Sequence, residues 1–127
     1  MTERQSGLEL ACWISQLLDR KGGRGIFVLD VRDLSTVTDY FVIVTGTSST
    51  HIQTLIDTPA MDLKKLGFPA NCIEGKSTGW VVADFSDVLL HVFDEGTRQH
   101  YNLEDLWKEA PRIDWEHHQQ KSIHAVS

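Results

Sequence analysis

Leu10, Trp13, Ile14 and Leu17 recur at i, i+3, i+4 and i+7, with Leu8, Ala11 and Leu18 widening the stripe. That spacing predicts a helix with one apolar face over about residues 4–20. It closes at Asp19-Arg20-Lys21-Gly22-Gly23, where cations meet the negative end of the helix dipole and glycine takes the left-handed cap. The pattern then changes period. Ile26–Val31 and Tyr40–Thr45 are continuous β-branched and aromatic runs, predicting two strands, both central and buried on two faces. Beyond Gly46-Thr47-Ser48-Ser49-Thr50, the residues Ile52, Leu55, Ile56, Leu63 and Leu66 return to helical spacing, with Thr50 and Gln53 fitting a capping box. Pro59 predicts a kink or restart in this helix, because it has no N–H for the carbonyl of Leu55, and Gly67 ends it. Cys72–Glu74 reads as a short strand, and Trp80–Asp84 and Val88–Phe93 as an antiparallel hairpin around Phe85-Ser86-Asp87. A last helix is expected from Leu103 to about Glu109, opened by Asn102 as N-cap and stopped by Pro111. The order gives an α+β (α/β sandwich-like) domain over residues 1–113, a mixed sheet of about five strands flanked by helices. Residues 114–127, from Asp114 through Trp115 to Ser127, show no strong period and read as a flexible tail.

The length of 127 residues fits one domain with its own core. Cys12 and Cys72 stand far apart, outside any Cys-x-x-Cys or Cys/His spacing, which gives neither a disulfide framework nor a zinc site. The net charge is −6, so the summed field repels phosphate backbones and direct nucleic-acid recognition is not expected. The charge is uneven. Residues 1–66 hold seven basic and eight acidic groups and residues 67–127 five and ten, which points the second half toward a basic partner. No apolar signal core opens the chain and no apolar run nears the ~20 residues needed to cross a bilayer; the reading is a cytoplasmic protein, away from membranes.

Four constellations could carry chemistry. The Gly46–Ser49 turn enters a helix, where Ser and Thr cap and backbone N–H groups meet anions. It lacks the second glycine of a nucleophile elbow and the Gly-Lys-Ser/Thr of a phosphate loop. Strand, turn and helix together also resemble nucleotidyltransferases, yet Asp57 and Asp62 lie in the helical segment and no Asp-x-Asp pair follows on a strand, so the acidic pair that holds metal is missing. Six histidines, His117, His118 and His124 among them, show no ligand spacing; no metal and no cofactor is assigned. In the second half, alternation puts Trp80, Val82 and Asp84 on one strand face, and His91 opposes Leu90 and Val92. Trp80 then anchors a half-polar protein interface or packs under a neighbouring element. Arg98 reaches Asp84, Asp94 or a partner, and Trp107 reads as core.

Taken together, Asp39–Ile43, Thr45–Ser48, Glu74-Gly75, Gly79-Trp80, Asp84, the run Asp87–Phe93, Arg98, Tyr101 and Leu103–Trp107 resemble the ribosomal silencing factor (Iojap-like) family over roughly residues 8–113. The resemblance implies a nucleotidyltransferase-like topology without transferase activity. It also implies binding to the large ribosomal subunit through ribosomal protein uL14, which blocks joining of the small subunit and lowers translation when nutrients are scarce. Carried over by motif, Trp80, Asp84, Asp87, His91, Arg98 and Tyr101 stand at or support that interface. Catalytic residues are expected to be none. A nucleotidyltransferase-like enzyme using the Gly46–Ser49 turn is the alternative, and monomer and homodimer both stay open.

Overall fold

The computed structural model describes residues 7–102, 105 and 107–117. The elements are α1 (Gly7–Arg20), β1 (Arg24–Asp30), β2 (Tyr40–Thr45), α2 (Ser49–Lys65), β3 (Cys72–Glu74), β4 (Trp80–Asp84), β5 (Val88–Phe93) and α3 (Glu95–Tyr101). The strands form one mixed sheet in the order β1-β2-β5-β4-β3, with β2 and β5 parallel and the other neighbours antiparallel. The architecture is α+β, as the element order predicts.

Both long helices lie on one face of the sheet. The apolar stripe of α1 (Leu10, Ile14, Leu18) and that of α2 (Ile52, Leu55, Ile56, Leu63) cover Val42, Val44, Leu90 and Val92. Leu55 is fully buried, so truncation to alanine would cost roughly 2–5 kcal/mol. Each helix closes the same way. Gly22 and Gly67 take positive φ, Gly23 N–H bonds Leu18 O at 2.9 Å, and Phe68 N–H bonds Leu63 O at 2.7 Å, which satisfies otherwise unpaired terminal carbonyls. No described helix is long and apolar enough to cross a membrane.

Several expectations change. β1 is an edge strand, not a central one. Its free edge is covered instead by the chain near 112, through Ile113 N–H to Val28 O and Asp30 N–H to Pro111 O, both 2.8 Å, which is why its apolar run needs no flanking strand. The N-cap of α2 is Ser48, whose Oγ accepts from His51 N–H at 3.0 Å. Gln53 turns forward to Asp57 at 2.9 Å and makes no box with Thr50. Helix α2 runs unbroken through the buried Pro59, because packing on the sheet outweighs one missing backbone bond. Asn102 O accepts at 3.1 Å from the N–H of Asp105, which is itself helical, and Asn102 also has a second place. It closes α3 in the left-handed conformation, φ 49°, its N–H on Arg98 O at 2.8 Å. Of the expected Leu103–Glu109 helix, Leu103, Glu104 and Leu106 lie outside the described residues, and Ala110 N–H bonds Trp107 O in a turn. Trp115, assigned to the tail from its sequence, donates its indole N–H to Ile26 O at 3.2 Å, and Trp115 O accepts from Gln16 Nε2 at 3.1 Å. Residues 118–127 lie outside the described residues.

Candidate interaction face

The face of the sheet away from α1 and α2 divides in two. Strand register places Phe41, Ile43 and Thr45 of β2, Leu89, His91 and Phe93 of β5, and Trp80, Val82 and Asp84 of β4 on it. Over β1 and β2 a second apolar cluster forms, in which Trp107 sets its ring edgewise on Phe41 at 5.0 Å and Ala110 fills the floor. Over β4 and β3 the cover thins. Val82 and Asp84 are partly exposed, and Cys72 and Glu74 are exposed.

Trp80 sits at the border. Its indole stacks on Phe93, with centroids 5.0 Å apart and planes 28° from parallel, and meets Tyr101 at 4.7 Å. Its N–H donates to His91 Nδ1 at 3.1 Å. Tyr101 remains 50% exposed, so a tyrosine and a half-buried tryptophan lie together at the surface.

His91 is 6% exposed and lies edgewise to Phe41 at 4.7 Å. Burial pushes its pKa down to about 4, so the ring is neutral at pH 7. An indole nitrogen only donates, so Nδ1 must be the acceptor and the ring proton resides on Nε2. That Nε2 is buried and has no hydrogen-bond partner among the described residues, an omission that costs on the order of 1–3 kcal/mol.

Helix α3 brings Tyr101 to this place, and a cap and a glycine bring α3. Asp94 is its N-cap, its Oδ1 accepting from Thr97 N–H at 2.8 Å, and that hydrogen bond holds the carboxyl below the ordinary aspartate range. Gly79, φ 88°, lies against this cap, and a Cβ there would stand 2.7 Å from both Asp94 Oδ2 and Thr97 Oγ1. Only glycine allows β4 to begin so close to α3. Arg98, one turn before Tyr101, donates to Thr45 Oγ1 at 2.7 Å and lies 5.0 Å over the Phe27 ring. Its guanidinium therefore lies at the Phe93 end of the sheet, while Asp84, opposite Leu89, marks the other end.

Of the six residues singled out from the sequence, the structure brings Trp80, His91 and Tyr101 into contact, with Arg98 on the same helix as Tyr101. Asp84 shares the face, about 13 Å along β4 from Trp80 at strand rise, and accepts from Ser86 N–H at 2.8 Å. Asp87 stands apart in the β4–β5 turn, where its carbonyl accepts from Asp39 and Tyr40 N–H. The sequence did not reveal α3, the part Gly79 plays in seating it or the stacking of Trp80 on Phe93. A signal existed for the helix, since Asp94 is followed by Glu95 and Thr97, but α3 buries no residue and so shows no apolar period.

The Gly46–Ser49 turn borders a cleft of about 620 Å³, lined by Ser48, Ser49, Thr50, Gln53, Ser77 and Asp94. Ser48 and Asp94 are both engaged as helix caps. Among the described residues no three His, Cys, Asp or Glu side chains gather as a metal site.

Known proteins are similar to this chain in sequence and in fold. A protein from Haemophilus influenzae named Ribosomal silencing factor RsfS is 36% identical over 101 residues, spanning 79% of this chain and 99% of its own length. The mouse protein named Mitochondrial assembly of ribosomal large subunit protein 1 is 36% identical over 95 residues, 72% of this chain and 42% of its own. A crystal structure of a Chromobacterium violaceum protein superposes with a TM-score of 0.78 at 26% identity, covering 97% of this chain and 95% of that one. The family model described as Ribosomal silencing factor during starvation matches residues 4–126, nearly the whole sequence, and the chain belongs to that family.

Proposed function

We propose that this protein is a cytoplasmic, non-enzymatic repressor of translation that docks on the large ribosomal subunit through uL14 and blocks approach of the small subunit. Family membership supports the ribosomal setting. The observation that carries the docking face is the pairing of half-buried Trp80 with half-exposed Tyr101 on a sheet face that Asp84 and Glu74 make acidic. Aromatic anchors beside carboxylates suit a basic ribosomal protein, and steric blocking requires no catalytic group.

Co-sedimentation with isolated large and small subunits, followed by a joining assay, tests the reading. Selective large-subunit binding that inhibits joining is expected. Trp80→Ala should weaken binding by at least ~2 kcal/mol, the scale of an interface anchor. Because Trp80 also stacks on Phe93, that variant loses some stability as well, so Asp84→Lys on the open half of the face is the cleaner partner variant. It should weaken binding through charge reversal, and wild-type affinity should fall with salt. Salt-independent binding, or full affinity in Asp84→Lys, would remove the electrostatic part. Titration calorimetry with nucleoside triphosphate and Mg²⁺ covers the enzymatic alternative: heat of binding that depends on Ser48 would favour it.

A further inference from the structure

His91 is an expensive choice for its position. It is buried between Phe41 and Phe93, and its Nε2 proton has no hydrogen-bond partner among the described residues. An apolar ring would fill the same space without that orphaned donor, but it would take the acceptor away from the Trp80 indole N–H. Among the described residues, the imidazole's hydrogen bond is at Nδ1, which accepts from the Trp80 indole N–H. Burial keeps the ring neutral, so Nδ1 stays an acceptor at neutral pH.

The contacts of Trp80 divide the work. Stacking on Phe93 and the tilted contact with Tyr101 fix the plane of the indole, but a half-turn about the Cβ–Cγ bond keeps that plane and carries the ring N–H to the opposite edge, a choice that non-directional dispersion decides only weakly. A hydrogen bond to one ring atom removes this freedom. We propose that His91 is a positioning residue which locks Trp80 in one of its two half-turn orientations about Cβ–Cγ, so that the docking face meets its basic ribosomal partner already set. The proposal rests on the face reading above for its consequence in binding, but not for its geometry. Freezing a side chain before association spares its ordering cost at the moment of contact.

Two variants separate positioning from packing. His91→Phe keeps a ring and loses the acceptor, whereas His91→Asn places a carbonyl oxygen near the Nδ1 position and loses ring volume. Positioning predicts that His91→Phe binds large subunits about 3- to 10-fold more weakly, although it stays folded and keeps the ring packing. His91→Asn should melt lower and bind more tightly than His91→Phe. A purely structural role reverses that order and overturns the proposal.

The free protein gives an independent reading by nuclear magnetic resonance. The Trp80 indole N–H signal, assigned by its loss in Trp80→Phe, should move upfield in His91→Phe and stay near the wild-type position in His91→Asn. The wild-type imidazole should show a bare Nδ1 and a protonated Nε2, and the opposite tautomer overturns the proposal outright. If His91→Phe fails to fold, the wild-type tautomer and the Asn variant decide. Wild-type protein that binds neither subunit overturns the face reading alone, and the indole and imidazole signals still decide whether His91 holds Trp80.

Discussion

At the scale of single residues, the pair Trp80 and His91 shows how burial converts an ordinary titratable group into a fixed acceptor. Burial lowers the His91 pKa from 6.5 to about 4, so the folded protein favours the neutral ring and the unfolded chain takes up its proton first. Stability from this group is complete above pH 6.5 and is lost as the pH falls through 4, by roughly 3 kcal/mol in total. Thermal melts between pH 7.5 and 4.5 should show this loss in the wild type and a flatter profile in His91→Phe. Parallel profiles would mean that the loss comes from other groups. Asp94 shifts the opposite way in charge, its carboxyl held down by Thr97, so its contribution disappears only at lower pH. Alternation along β4 and β5 placed Trp80 and His91 on one face in the sequence. It did not show that one is half-open and the other closed, because that depends on what lies above the strands.

At the scale of elements, what lies above them is α3, a short helix with no buried residue. Such a helix is held by its cap and its neighbours more than by an apolar stripe. Its dependence on Gly79 is testable. Gly79→Ala forces a side chain into positive φ and against the Asp94 cap, and should lower stability by about 1–3 kcal/mol while displacing Tyr101 from Trp80. Denaturant unfolding measures the first effect and the Trp80 indole signal the second. Unchanged stability would show that the β4 start can move away from α3 at little cost. Strands β2 to β5 were legible to the residue, since their periods are local properties of the chain. Helix ends were less so: Thr50 and Ser48 both offer a capping hydroxyl, and only backbone geometry chooses Ser48.

At the scale of the molecule, the chain beyond Pro111 returns to close the edge that β1 leaves open, and Trp115 bonds to Ile26 while packing against the main core. Trp115→Ala should therefore cost about 1–3 kcal/mol and reduce protection of the β1 amides from hydrogen exchange; a fold as stable as wild type would return Trp115 to the tail. The sequence by itself determined the α+β class, the two helical stripes, the five strands and the face that each strand residue takes, because each follows from the order of apolar and polar side chains over a few residues. Family motifs added the ribosomal setting. Only the tertiary structure decided that β1 lies at the edge, that His91 is closed in, that Arg98 turns to Thr45 and Phe27, and that Tyr101 meets Trp80. These depend on which distant segments meet, and contacts between residues far apart in the chain leave no period in the sequence from which to read them.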